Sequence, residues 1–246
     1  MPYLSRIPLN PMRRRSQALL SNPQLIHAEI LNALPTQPVR ERTLWRREVV
    51  EDTEGRQRRV NLIVLSQTQP SWAEVVNEYG WPDTHEGEPL VRDYDPVLSH
   101  VQLGREFAFK VTANPSSVTH KPQSASSHQE VQLSKGRGVR VGHRSAPHQL
   151  DWFLQRAEAG DATWGFTVGD RSTPSVRLVG REHVSFRKRR EGPWVTLDTA
   201  TFEGVLRVTD VARFREVLLD GLGRGKAYGC GLLTVAKPGG GRVVAG

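Results

Sequence analysis

The chain has 246 residues, enough for one or two domains with a real core, and carries a formal net charge of +8. Its single cysteine, Cys230, excludes an internal disulfide and a cysteine-based zinc site. No apolar run is long enough for a membrane span, so no membrane partner is expected and a reducing cytoplasm is the expected location. The surplus charge is confined to one half. Residues 1–97 hold 12 Arg, no Lys and 13 acids, whereas residues 98–246 hold 22 bases and 13 acids. A basic excess concentrated in this way is the footprint of a polyanion binder.

Tyr3-Leu4-Ser5-Arg6-Ile7-Pro8-Leu9 alternates apolar and polar and predicts an edge strand, where Pro8 removes a ladder donor. Arg13, Arg14 and Arg15 follow in an expected loop. Asn22-Pro23 opens a helix, with Asn as N-cap and Pro in the first turn. Leu25, Ile26, Ile30, Leu31 and Leu34 keep helical spacing until Pro35 stops it, and His27 lies toward the edge of that stripe. Residues 42–50 and 59–67 read as strands joined by a turn at Asp52-Thr53-Glu54-Gly55. Pro70-Ser71-Trp72 opens a helix that Gly80 ends, and residues 97–103 are expected to form a fourth strand. The element order is β-α-β-β-α-β.

The second half repeats this order. Residues 106–113, with Phe107, Phe109 and Val111, alternate as a strand. Residues 116–144 are polar, carry Lys121, Lys135, Arg137, Arg140 and Arg144, and are expected to be mobile in isolation. A helix is predicted over 147–159. A long strand over 177–190 has Arg187, Lys188, Arg189 and Arg190 at its tip, Gly192-Pro193 turns it, and 194–208 return. Asp210 caps a helix with Val211, Phe214, Val217 and Leu218; a glycine-rich loop and a last strand over 232–237 follow. Two such units predict an α+β fold of two tandem ferredoxin-like (RRM-like) domains, an N-terminal one over 1–97 and a basic one over 98–246.

Residues 221–231 contain five glycines in eleven positions, with Arg224 and Lys226 among them. Glycine admits φ > 0 and close backbone approach, and fixed cations with exposed N–H groups suit a phosphate. Gly221-Leu222-Gly223 follows a helix and precedes a strand, the reverse of a dinucleotide fingerprint, which removes a Rossmann site. Eight histidines are present without HExxH or paired ligand spacing, so metal-dependent hydrolysis lacks support. His27 stands apart, at the start of a helix behind an arginine run; an imidazole titrates near neutrality and can move a proton at either end of a phosphodiester. Phe107 and Phe109 share one face, which reads as core rather than as an RNA-stacking surface.

Taken together, several stretches resemble the CasE family of CRISPR repeat-processing endoribonucleases from the type I-E Cascade complex. They are Tyr3-Leu4-Ser5-Arg6, Asn22-Pro23 with His27, Leu44-Trp45-Arg46, the Phe107-x-Phe109 strand ending in Ala113-Asn114-Pro115, and Lys226-Ala227-Tyr228-Gly229-Cys230-Gly231-Leu232. They span nearly the whole chain, and the glycine loop is the most specific. The resemblance implies metal-independent cleavage at the 3′ base of a repeat RNA hairpin by 2′-OH attack, leaving a 2′,3′-cyclic phosphate and a 5′-OH, with no cofactor. Its partners would be that RNA hairpin and other Cascade subunits, chiefly the backbone subunit.

His27 matches the family's helix-borne histidine and would be general acid or base; Lys226 is the candidate stabiliser of phosphorane charge. The candidate RNA-binding residues are Arg13, Arg14, Arg15, Lys135, Arg137, Arg140, Arg187, Lys188, Arg189, Arg190, Gly223, Arg224, Gly225, Lys226 and Gly229. Where the family carries a tyrosine three residues before the histidine, this chain has Gln24. A glutamine cannot share a proton as a phenol does, which leaves a non-catalytic hairpin-binding subunit as the alternative.

Overall fold

The computed structural model describes residues 1–51, 58–122, 124, 127–158, 164–188, 191–192 and 194–239. The first half runs β1 (Tyr3–Leu9), α1 (Arg14–Leu20), α2 (Pro23–Asn32), β2 (Leu44–Glu51), β3 (Arg58–Ser66), α3 (Ala73–Tyr79), β4 (Leu90–Asp93) and α4 (Asp95–Ser99). Its strands form an antiparallel sheet in the order β2-β3-β1-β4. The register places Ser5, Val64 and Trp45 side by side on one face, and Leu4, Leu65 and Leu44 on the other. The first face, with Ile7, Leu9 and Leu62, buries against Leu19 of α1, Ile26 and Ile30 of α2, and Val75 and Val76 of α3. The second face is also covered: Leu44, Ile63 and Leu65 belong to the core of the other half. Each fully buried aliphatic side chain there contributes roughly 1.5–3 kcal/mol, so the two sheets share apolar substance rather than merely touch.

The second half runs β5 (Glu106–Ala113), β6 (Ser116–Thr119), α5 (Ser127–Ser134), β7 (Val139–Gly142), α6 (Ala146–Ala157), β8 (Phe166–Thr167), β9 (Gly169–Asp170), β10 (Thr173–Pro174), β11 (Val176–Arg187), β12 (Trp194–Val208), α7 (Val211–Asp220) and β13 (Leu233–Ala236). The main sheet has the order β11-β12-β5-β13, with β8 added to β12. This repeats the first sheet's arrangement of second, third, first and fourth strands and bears out the predicted fold class. Ser145 and Asp210 cap α6 and α7 by accepting from the N–H groups of His148 and Arg213. The core is aromatic: Phe153 stacks on Phe202 at 4.5 Å and on Phe109 at 5.8 Å. Phe107 and Phe109 are buried within it, as the core reading required.

Four sequence expectations are corrected. β1, expected as an edge strand, lies inside its sheet between β3 and β4, and Pro8 is tolerated because β4 pairs only with Tyr3–Arg6. The fourth strand of the first sheet is Leu90–Asp93, not residues 97–103. Asp93 Oδ1 accepts from the Asp95 N–H at 2.9 Å and Pro96 occupies the first helical turn, so the chain leaves the sheet there and turns into α4. Val97, Leu98 and Val101 then face the second core. The described residues of 116–144, a stretch expected to be mobile in isolation, hold regular structure: β6 pairs with β7, Val139 is fully buried, and Trp152 Nε1 donates to the Ser116 carbonyl at 3.1 Å. The arginine run does not lie wholly in a loop, because Arg14 and Arg15 begin α1. The turn expected at Asp52–Gly55, the end of the predicted helix at Ala159, and Arg189, Arg190 and Pro193 of the basic hairpin lie outside the described residues. Among the described residues no helix is long and apolar enough to cross a membrane.

Candidate functional site

Asn22 Oδ1 accepts from the Gln24 N–H at 2.9 Å and Pro23 follows in the first turn, which fixes where α2 starts. Burial of Ile26 and Ile30 then sets the rotation of the helix and leaves His27 half-buried beside that stripe. His27 Nδ1 is buried without a hydrogen-bond partner. A proton added there would bring charge into a poorly solvated place, and burial accordingly holds the imidazole below the usual 6.5. Burial therefore favours the neutral imidazole.

The glycine loop leaves α7 at Gly221. Its neck is closed by Leu222 N donating to the Gly231 carbonyl (3.0 Å) and Gly231 N donating to Thr112 of β5 (2.7 Å). Inside the neck, Lys226–Tyr228 form a single 3-10 turn, in which Tyr228 N donates to the Gly225 carbonyl at 2.8 Å. This turn packs directly on α2 and β2. The close approach depends on Gly229: its φ is +81° and a Cβ would stand 2.9 Å from the Trp45 ring. Gly229, expected to approach RNA, thus has a packing task, while Gly223 and Arg224 face solvent. Lys226 is partly buried, and its ammonium is lowered from 10.5 by burial first and by Arg42 second, with Asp220 opposing.

The basic hairpin reaches the same place. Phe186 of β11 meets the Tyr228 ring edge-on at 4.9 Å, and Lys188 Nζ lies 5.7 Å above Tyr228. Asn22 Nδ2 donates to the Arg187 carbonyl at 3.5 Å, a weak contact that links the hairpin base to the N-cap of α2. Arg47 of β2 donates to both carboxylate oxygens of Glu182 on β11 at 3.0 Å and to the Leu20 carbonyl at 3.1 Å. Between β2 and β11 lies a cleft of about 320 Å³ that includes Pro23, Ile26, Arg47, Tyr228 and Gly229 in its wall. His27 is not in that wall; its helix forms one side of the cleft and its imidazole lies outside.

A second basic group surrounds Trp152. Arg156 stacks over its ring at 4.5 Å, and Arg140 donates to Ser116 Oγ at 3.3 Å, beside the Ser116 carbonyl that Trp152 holds. Arg140 is lowered by burial and then by Arg224, and Arg156 by burial and then by Arg140. β7, α6 and the glycine loop therefore place three arginines in one positive patch. Lys135 and Arg137 lie exposed after α5. Of the other run, Arg13 donates to the Asn77 carbonyl and Arg15 pairs with Glu78, both at α3, while Arg14 is exposed. Tyr228 and Arg156 escape the sequence reading. Tyr228 is an aromatic inside the glycine loop, a usable signal; Arg156 sits in an amphipathic helix and reads as a solvated face.

Residues 2–237 match the model of the family described as CRISPR associated protein. The chain belongs to this family. It is 28% identical over 242 residues to the CRISPR-associated endoribonuclease Cse3 of Thermus thermophilus, a match covering 95% of this chain and 99% of that protein. The structure of Thermus thermophilus Cse3 bound to an RNA representing a pre-cleavage complex is similar at a TM-score of 0.67 and 26% identity, over 96% of this chain and 98% of that one. Cas6e from Escherichia coli shares the fold at a TM-score of 0.59 and 20% identity, over 96% and 99% of the two chains. The resemblance to CasE read from the sequence is borne out.

Proposed function

We propose that the chain is an endoribonuclease that cuts CRISPR repeat RNA at the 3′ base of its hairpin and then holds the product within a Cascade complex. The observation that carries this reading is the packing of the Lys226–Tyr228 turn on α2, the helix that bears the candidate proton carrier His27. In this reading residues 1–97 supply His27 and residues 98–246 supply the RNA grip. The relatives named as Cse3 endoribonucleases, one of them bound to RNA in a pre-cleavage complex, support the substrate class.

The chemistry needs no external nucleophile. The ribose 2′-oxygen bonds to the adjacent phosphorus and its proton passes to neutral His27 Nε2. The bond from phosphorus to the 5′-oxygen breaks and that oxygen takes a proton from water, leaving a 2′,3′-cyclic phosphate and a 5′-OH, while protonated His27 returns its proton to solvent. RNA held in line supplies most of the rate through orientation. Lys226 faces the charge that develops on the phosphoryl oxygens, and loss of one such donor costs about 100-fold or more in turnover. No step requires a metal ion. Arg140, Arg224 and the hairpin residues Arg187 and Lys188 hold the backbone of the RNA.

Gln24, at the position of the family's tyrosine, favours a second reading in which the chain binds the hairpin without cutting it. One experiment separates the two. The cognate repeat RNA is incubated with excess EDTA, using wild type, His27→Ala and Lys226→Met. Site-specific cleavage to a cyclic phosphate, abolished by His27→Ala with binding retained, is the expected result. Tight binding without cleavage by wild type would establish the second reading. Cleavage that persists on a 2′-deoxy substrate would remove the proposed nucleophile.

A further inference from the structure

Of the six tryptophans only Trp194 is strongly exposed, Trp81 being partly buried. Trp45, Trp72, Trp152 and Trp164 are buried, whereas Trp194 is 61% exposed at the start of β12. Its place explains why folding does not require it. On the β11–β12 ribbon, Arg187 pairs with Trp194, Ser185 with Thr196 and His183 with Asp198, and these three pairs share one face. The opposite face carries Phe186 and Leu197, which are buried, and Phe186 is the side chain that anchors the hairpin on Tyr228. The indole therefore stands on the outward, polar side of a ribbon whose core contacts are already complete.

The charge around it selects the kind of partner. Arg187 Cζ lies 4.9 Å from the Trp194 ring centre. Further down the same face, the carboxylate of Asp198 is held by His183 Nδ1 at 2.7 Å and by Arg144 Nε at 3.3 Å. An aromatic surface bordered by cations suits a ligand with a flat π-face and a phosphate. A protein partner would gain from the indole but not from this border.

We infer that Trp194 is a stacking platform for an unpaired nucleobase of the bound RNA, with Arg187 at the adjoining phosphate. A base inside the stem is already stacked on both sides and has no face to offer, so the occupant is a nucleotide of the hairpin loop or of the single-stranded flank. The inference rests on the RNA reading above and deepens it: Trp194 makes the protein sensitive to nucleotides outside the duplex.

The test measures affinity for three RNAs: the full repeat with loop and flanks, the same stem as a blunt duplex, and the full repeat carrying single abasic replacements at its unpaired positions. Trp194→Ala should weaken binding of the full repeat by about 5- to 100-fold and leave the blunt duplex within about twofold, whereas Trp194→Phe should retain most of the affinity. One abasic position should reproduce the loss and add nothing to it in the Trp194→Ala background. The exposed site allows a folded variant, which an unchanged melting curve verifies. Equal losses on repeat and duplex, unchanged affinity for all RNAs, or a defect confined to assembly with other protein subunits would each overturn the inference. Wild-type protein that neither binds nor cuts the repeat would instead overturn the functional reading itself.

Discussion

Arg46 and Glu48 form an ion pair at 2.5 Å in the seam between the two sheets, with only 2% and 8% of their side chains exposed. The guanidinium also donates to the carbonyls of Lys110 and Leu232 and to Thr234 Oγ1, at 3.0–3.1 Å. One arginine of β2 thus satisfies acceptors on β5 and around β13, across the seam.

Removing Arg46 alone strands a buried carboxylate, for which the nearest other cation is Lys110 at 4.0 Å. Arg46→Met should therefore destabilise the protein by about 3–5 kcal/mol in denaturant titration, and the double change Arg46→Met with Glu48→Leu should recover much of that loss. A single-variant cost below about 1 kcal/mol would show that the seam does not depend on this pair.

His27 titrates below 6.5 in the folded protein because of burial. As pH falls through 6.5 the unfolded chain takes up the proton first, so this group's contribution is present above 6.5 and is lost as pH falls to the folded value. The difference in stability between wild type and His27→Gln should shrink over that window. With His27 as the base, the cleavage rate should stay level across neutrality and fall about tenfold per unit only below the lowered value. A rate that instead falls on raising the pH above 6.5 would assign His27 the acid role.

Gly229 is where the glycine loop meets β2. Gly229→Ala has to accommodate a left-handed backbone and a methyl group 2.9 Å from the Trp45 ring. The expected cost is about 1–3 kcal/mol, seen as a lower denaturant midpoint at unchanged slope. Cleavage should fall too, because the same contact seats the Lys226–Tyr228 turn on α2. Gly223→Ala, at an exposed position, should reduce stability less.

Arg140 and Arg224 make no ion pair among the described residues and lie in one patch. If each meets one phosphate, replacing both with alanine should flatten the plot of log affinity against log salt by about 1.4–1.8. Arg13→Ala, whose guanidinium is engaged at the Asn77 carbonyl, should leave that slope unchanged.

The order of elements along both halves was legible because alternation, helix caps and turn residues agreed along most of the chain. Asn22-Pro23 and Asp210 sit where a cap must be, and β11 and β12 follow long alternating runs. The fourth strand was misplaced because Val97, Leu98 and Val101 are apolar for a reason outside their own sheet: they cover the core of the other half. The β6–β7 pairing was hidden because Val139 is the only buried apolar residue among the described residues of that polar stretch. His27 and the glycine loop could be named separately from sequence. The packing of that loop against α2 and β2 could not, since it depends on Gly229 against Trp45 and on Phe186 against Tyr228, contacts between residues far apart in the chain.

Cys230 sits fully buried at the end of the loop, with its thiol pushed up to about 12 mainly by burial and further by Glu182. Only the thiolate attacks alkylating reagents, so the closed protein should ignore them. Because this is the chain's single cysteine, its labelling rate is a built-in clock for local opening of the loop that buries it. RNA that holds the loop closed should slow it. A fluorophore can be placed elsewhere on the surface through an added cysteine without first removing the native one.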